Sequence, residues 1–158
     1  MGTLSGKTLF ITGASRGIGL AIALRAARDG ANIVIAAKTD KPHKVLEGTI
    51  HTAAGEVEKA GGHALPLVVD VRDEDKVVAA MAQAAEHFGG IDIIVNNAGL
   101  LRDAMSFSMT ENQWDLVVDV HLKGHAATAH HASKYWRATA KSLPDGAALR
   151  PRRIINTT

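Results

Sequence analysis

The residues best suited to chemistry stand in three clusters. In "LFITGASRGIG" an apolar run breaks at Gly13, Gly17 and Gly19, with Ser15 and Arg16 between them. Backbone N–H groups in such a loop, together with the positive end of a following helix, can hold a phosphate. Glycine allows the sharp turn and the close approach of backbone to a ligand. In "VDVHLKGH", His121 and His125 sit four residues apart, a spacing that puts both on one helix face. Such a pair can bind metal, but no adjacent carboxylate or cysteine completes a ligand set, so no metal site is expected. The third cluster is "SKYW", which carries the only tyrosine, Tyr135, beside Trp136.

The elements that must position these residues alternate along the chain. Apolar runs at Thr8–Thr12, Asn32–Ala37, Ala64–Val69, Ile91–Val95 and Arg153–Asn156 read as strands covered on both faces. Helical patterns fill Ile18–Asp29, Thr52–Ala60, Glu74–Phe88 and Glu111–Ala140. Asp73 caps the third helix, and "TENQ" (Thr110 to Gln113) is a capping box for the fourth. Val77, Met81, Ala84 and Phe88 form the buried stripe of the third. "DGA", "AGG" and "FGG" supply glycine stops. Strand, helix, strand repeated this way predicts right-handed crossovers and a doubly wound α/β parallel sheet in one domain over 1–158. The polar stretches Lys38–Thr52 and Ser142–Arg153 are expected to be solvated loops.

Composition narrows the function classes. A formal charge of +2 gives no general argument for nucleic acid or membrane binding. Without cysteine, neither a disulfide framework nor a thiolate metal site can form. No run approaches the ~18 apolar residues of a membrane helix. The expectation is a cytoplasmic protein with a small-molecule partner.

"TGASRGIG" (Thr12 to Gly19), "DVRD" (Asp70 to Asp73) and "NNAG" (Asn96 to Gly99) occur in order and together resemble the cofactor half of the short-chain dehydrogenase/reductase family. The resemblance implies a Rossmann-like sheet of strand order 3-2-1-4-5. It implies that Gly13, Ser15, Gly17, Ile18 and Gly19 surround a pyrophosphate and that Asp70 and Val71 flank an adenine. Asn97, Ala98 and Gly99 would line the passage to the nicotinamide, with Asn97 bracing neighbouring strands. The first half, particularly Ala36 to Glu74, is similar to the hydroxysteroid dehydrogenase-like branch. Asn96 to His125 is similar to the (3R)-hydroxyacyl-CoA dehydrogenase branch, which also carries a His-Leu-x-Gly variant, and the two likenesses meet near "NNAG". Both branches imply hydrophobic acyl or steroid-like substrates, for which Leu100, Leu101 and Met105 would offer an apolar wall.

The cofactor follows from the ribose 2′ position. An acidic residue ending the second strand favours a 2′-hydroxyl and repels a 2′-phosphate. Ala37 stands there, followed by Lys38, and Arg16 would approach from the glycine loop. Two cations without an acid favour NADP(H) over NAD(H); Asp40, brought toward the ribose, would reverse that choice.

Of the family's catalytic set, little is present. Tyr135 is followed at the fourth place by Thr139, so there is no Tyr-x-x-x-Lys. Thr157 or Thr158 stands near the family serine's place, and His121 occupies the family asparagine's, where it could serve the same proton relay. The chain reads as a domain incomplete at its C-terminus, an oxidoreductase or a catalytically inactive nucleotide-binding module. The resemblance further implies a homodimer or homotetramer through the fourth helix, with Trp136 either an interface anchor or a core residue.

Overall fold

The computed structural model describes residues 2–42, 47–148 and 150–157. Thr158 and the middle of the Lys38–Thr52 loop lie outside them. Five parallel strands, β1 (Thr8–Thr12), β2 (Asn32–Ala37), β3 (His63–Val68), β4 (Ile93–Asn96) and β5 (Arg153–Asn156), lie in the order β3-β2-β1-β4-β5. The register runs Phe10 to Val34, Val34 to Leu65, Phe10 to Ile94 and Ile94 to Ile154.

Successive strand residues point to opposite faces, which divides the core in two. Leu9, Ile11, Ile33 and Ile35 pack with α1 (Gly17–Arg28) and α2 (Ile50–Lys59), chiefly through Ala23, Ala27 and Val57. Phe10, Val34 and Ile94 pack on the other face with Val77, Met81 and Ala84 of α3 (Glu74–Phe88) and with Ala132 and Trp136 of α5 (Gly124–Lys141). Trp136 is therefore a core residue here, and its indole N–H donates to the Ile91 carbonyl at 2.7 Å.

The helix starts follow local chemistry. Asp73 accepts from the Lys76 N–H, and Thr110 with Gln113 forms a complete capping box. A second box, unanticipated, joins Thr49 and Thr52, so α2 begins at Ile50 rather than at Thr52. The expected fourth helix is one continuous path with an interruption: α4 (Glu111–Val118) passes through a π-turn at Asp119–Lys123 into α5. There the Gly124 N–H donates to the Asp119 carbonyl five residues back. Single π-turns inside α-helices redirect side chains and occur frequently at functional sites. Here the redirected side chain is His121.

Candidate functional site

The carboxyl ends of β1, β2, β3 and β4 converge on one cleft of about 320 Å³. Thr12, the last residue of β1, is fully buried next to the lining residue Gly13. Thr12 Oγ1 accepts the N–H groups of Asn97 (3.0 Å) and Ala98 (2.9 Å). The Asn97 amide donates in return to the carbonyls of Thr12 (3.1 Å) and Gly13 (3.4 Å). The glycine loop and the "NNAG" turn are thus laced to each other. Sequence reasoning gave Thr12 no role, although a polar side chain ending a buried apolar strand was the available signal.

Two glycines are required by this lacing. Gly13 turns at φ +67°, and a Cβ on it would meet Ala98 Cα at 2.9 Å. A Cβ on Gly19 would fall 2.5 Å from the Gly13 carbonyl oxygen and 2.6 Å from Asn97 Nδ2. Gly19 therefore serves the fold of the loop more than the packing of α1 on the sheet. Arg16 occupies the N-cap of α1, makes no side-chain cap, and no acid lies in the first turn. The first N–H groups of α1 thus have no side-chain cap among the described residues, an arrangement that suits an anion.

Of the twelve residues expected at a cofactor, Gly13, Ser15, Lys38, Asp70, Val71, Ala98 and Gly99 line the cleft. Gly17 and Ile18 stand exposed at the start of α1, while Gly19 and Asn97 act from behind the loop. Arg16 turns toward the approach to α2, where Nη2 donates to the Gly48 carbonyl at 2.8 Å. Its Nε is buried with no partner among the described residues.

Asp40 is engaged elsewhere, since its carboxylate meets His51 Nε2 of α2 at 2.7 Å. The acid that does enter the cleft comes from the end of β3. Asp70 pairs with Lys38 at 3.2 Å and with Arg72, whose Nη2 lies 2.6 Å from Oδ2. The Arg72 guanidinium holds the Asp70 carboxyl well below the usual carboxylate range, with the Arg72 backbone N–H and Lys38 adding to it against the opposing cost of burial. Lys38 is thus neutralised in part by an acid from across the cleft. Arg72 and Arg102 also line the cleft and were not singled out from sequence.

The π-turn delivers His121 to the wall beside this cleft. Its Nε2 lies 3.0 Å from the Leu100 N–H nitrogen and 2.9 Å from the Leu100 carbonyl oxygen. The ring lies so close over Gly99 that a Cβ there would meet Cε1 at 2.7 Å. Neutral imidazole can accept from the one group or donate to the other, according to tautomer. His125 Nε2 reaches the Ala98 carbonyl at 3.3 Å. Both histidines therefore tie the loop after β4 to the helix. Gly124, where a Cβ would meet Val71 Cγ2 at 2.8 Å, lets the helix approach the cleft closely enough for this.

Three further residues are placed by the same geometry. Thr157 Oγ1 is directed to the Asn96 carbonyl at 3.3 Å. Tyr135 lies at the opposite end of the sheet, in a cavity with Thr8, Gly90 and Asp92 at the amino ends of the strands. Leu100 and Leu101 border an apolar recess of about 340 Å³ with Met109, Trp114 and Val117, whereas Met105 points into solvent. No helix among the described residues is long and apolar enough to cross a membrane.

Comparison with known proteins agrees with this arrangement. Residues 7–142 match the family model of the short chain dehydrogenases. The chain is 56% identical over 128 residues to hydroxysteroid dehydrogenase-like protein 2 of Danio rerio, which covers 81% of this chain and 31% of the relative. With the human protein of the same name it shares 57% over 123 residues, 78% of this chain and 29% of the relative. A crystal structure of a short chain dehydrogenase from Mycobacterium thermoresistibile superposes with a TM-score of 0.86 at 43% identity, over 99% of this chain and 52% of that one. One from Mycobacterium avium gives 0.87 at 38% identity, over 99% and 54%. The chain spans about a third of the curated relatives and about half of the solved structures.

Proposed function

The chain belongs to the short-chain dehydrogenase family, and on that premise we propose that its cleft takes NADP(H) and serves hydride transfer to or from a carbonyl or hydroxyl carbon of a hydrophobic substrate. The observation that carries the cofactor reading is the glycine loop. Its backbone is built where Cβ atoms would collide, and it leads into a helix whose first N–H groups have no side-chain partner among the described residues. The cleft residues fit a dinucleotide in chemistry as well. Gly13 and Ser15 with the start of α1 would hold the pyrophosphate, Val71 and Ala37 would flank the base, and Ala98 and Gly99 would border the ribose. When bound, the nicotinamide supplies the hydride donor or acceptor.

The preference for the 2′-phosphate rests on Ala37 and Lys38 at the end of β2, on Asp40 being held by His51, and on the buried Arg16 Nε–H that has no partner among the described residues. A phosphate oxygen is the natural acceptor for such a group. Fluorescence titration with NADPH and NADH tests it: NADPH should bind more tightly, and Arg16→Ala should reduce that preference by about tenfold. Tighter binding of NADH would overturn the assignment.

His121 is proposed as a positioning residue, holding Leu100 and the loop after β4 against the π-turn. The recess beside Leu100, Leu101 and Trp114 would receive the apolar part of a substrate. Exposed Trp114 and Leu122 support pairing of two copies through α4 and the π-turn. A second reading, a nucleotide-binding module without turnover, is favoured by the location of the only tyrosine at the far end of the sheet. Carbonyl reduction assayed beside NADPH binding separates the two; tight binding without turnover by material of verified mass supports the module.

A further inference from the structure

A cavity of about 440 Å³, larger than the cleft or the apolar recess, opens at the amino ends of the strands. Asp92, which leads into β4, is only 3% exposed there. Its Oδ2 accepts the Thr8 N–H at 3.0 Å, and its Oδ1 pairs with Arg152 Nη1 and, at 4.0 Å, with Lys7 Nζ. Arg152 Nη1 also donates to the Ile91 carbonyl at 2.8 Å, the same oxygen that receives the Trp136 indole N–H. These groups are engaged with one another and make a fixed floor.

Other lining groups are not engaged. Tyr135 is half-buried, and its Oη lies 3.3 Å from the place a Cβ on Gly90 would take. Its backbone carbonyl accepts from Thr139 Oγ1 at 3.0 Å, while its hydroxyl has no partner among the described residues. Arg137 of α5 and Arg150, in the segment before β5, line the same cavity at exposed positions. Neither forms an ion pair among the described residues. Phe88 and Leu143 add an apolar wall, and Leu143 is 39% exposed there.

Three arginines and one aspartate line the cavity, which leaves two positive charges unmatched. Against them, α3 and α5 both end here, and the negative pole of each helix is worth about half a charge. Two partial charges do not cancel two full ones, so the cavity favours an anion. A guanidinium fork suits a carboxylate, and a free phenol can donate to the same oxygens.

We propose that this cavity is a second ligand site, at the opposite end of the sheet from the cleft, which takes an organic carboxylate with an apolar body. Arg137, Arg150 and Tyr135 receive the carboxylate, and Phe88 and Leu143 cover the hydrocarbon. Such a site stands whether or not the cleft takes NADP(H).

Trp136 in the cavity wall reports occupancy once the only other tryptophan, the 62% exposed Trp114, is removed by Trp114→Phe. Octanoate, ionised at neutral pH, should change the Trp136 emission saturably, with a dissociation constant of about 1 mM or tighter. Octan-1-ol keeps the body without the charge, and acetate keeps the charge without the body. Each should bind at least about tenfold more weakly than octanoate. Arg137→Gln combined with Arg150→Gln should weaken octanoate about tenfold, and Tyr135→Phe about threefold. Raising the salt from about 0.05 M to about 0.5 M should weaken octanoate and spare octan-1-ol.

No saturable change up to about 10 mM octanoate overturns the site. So does equal binding of octan-1-ol or acetate, or an unchanged octanoate constant in the paired arginine variant. Circular dichroism verifies that each variant is folded. Should the arginine variant fail to fold, the salt series on the protein with both arginines decides: octanoate binding that ignores salt overturns the site.

Discussion

The two sides of this sheet are built differently. On one side, β1 is buried at every residue, β2 at all but its first, and the loop after β1 is cross-linked to "NNAG" by Thr12 and Asn97. On the other, all four residues of β5 are exposed and α4 buries none of its residues. The contrast separates two ways of making a site. The β1–β2 side is determined by backbone fit at Gly13 and Gly19, a steric requirement that a short motif can express. The β5 side is determined by single tethers: the Leu100–His121 contacts, the Thr157–Asn96 contact, and the Asn96 amide donating to Asn156 Oδ1 at 2.9 Å.

The largest expected effect breaks the contrast if it fails. Ile35 is fully buried in β2, while Ile155 in β5 is 48% exposed. Truncating Ile35 to alanine removes buried methyl groups and leaves a cavity, for a loss of about 2–5 kcal/mol. Ile155→Ala should cost under about 1 kcal/mol, as a surface substitution does. Urea denaturation of both variants measures the difference. Equal losses would mean that β5 is covered in solution and that the asymmetry does not hold.

A smaller effect sharpens the comparison at the level of hydrogen bonds. Thr12→Val keeps the side-chain shape but takes the shared acceptor from the half-buried N–H groups of Asn97 and Ala98, costing about 1–3 kcal/mol. The same exchange at Thr157, whose hydroxyl only supplements a backbone hydrogen bond to the Asn96 carbonyl, should stay within about 0.5 kcal/mol. Thermal unfolding of the pair reads this directly. A large loss at Thr157 would show that the tethers of the β5 side matter as much as the lacing of the other.

What could be read in the sequence follows the same division. The bounds of β1, β2, α3 and β5 were legible: the apolar run of β1 ends at Gly13, that of β2 gives way to the polar stretch from Lys38, α3 lies between its Asp73 cap and Gly89, and β5 follows a turn-rich basic stretch. The strand order came from family resemblance, since pairing is a non-local property. The π-turn was not legible: it depends on Leu100 drawing His121 across and on Gly124 meeting Val71, contacts between residues far apart in the chain. The start of α2 was missed because Thr52, rather than the usual Glu or Gln, closes its capping box. At the site, the glycine loop announced itself, but Arg72 did not. Its fork to Asp70 spans two residues and needs only a local turn, yet nothing in "DVRD" says that the arginine faces a cleft. Likewise the two cations expected at the ribose carried no hint that Asp70 would share Lys38.

That shared acid gives the smallest effect and ties the stability of the cleft around Asp70 to pH. Arg72, backed by Lys38, lowers the folded pKa of Asp70 below its ordinary value near 4. The unfolded chain therefore takes up this proton first as the pH falls, so the stabilisation is complete above about pH 5 and declines from there through the lower folded value. Arg72 and Lys38 are both substantially exposed, which limits the contribution at pH 7 to at most about 1 kcal/mol. Asp70→Asn should accordingly be slightly less stable at neutral pH, and the gap to the unaltered protein should close between about pH 5 and pH 2. Chemical denaturation across that range measures it. A gap that persists unchanged to pH 2 would show that the cost of the substitution comes from lost shape or backbone contact rather than from the charge of Asp70.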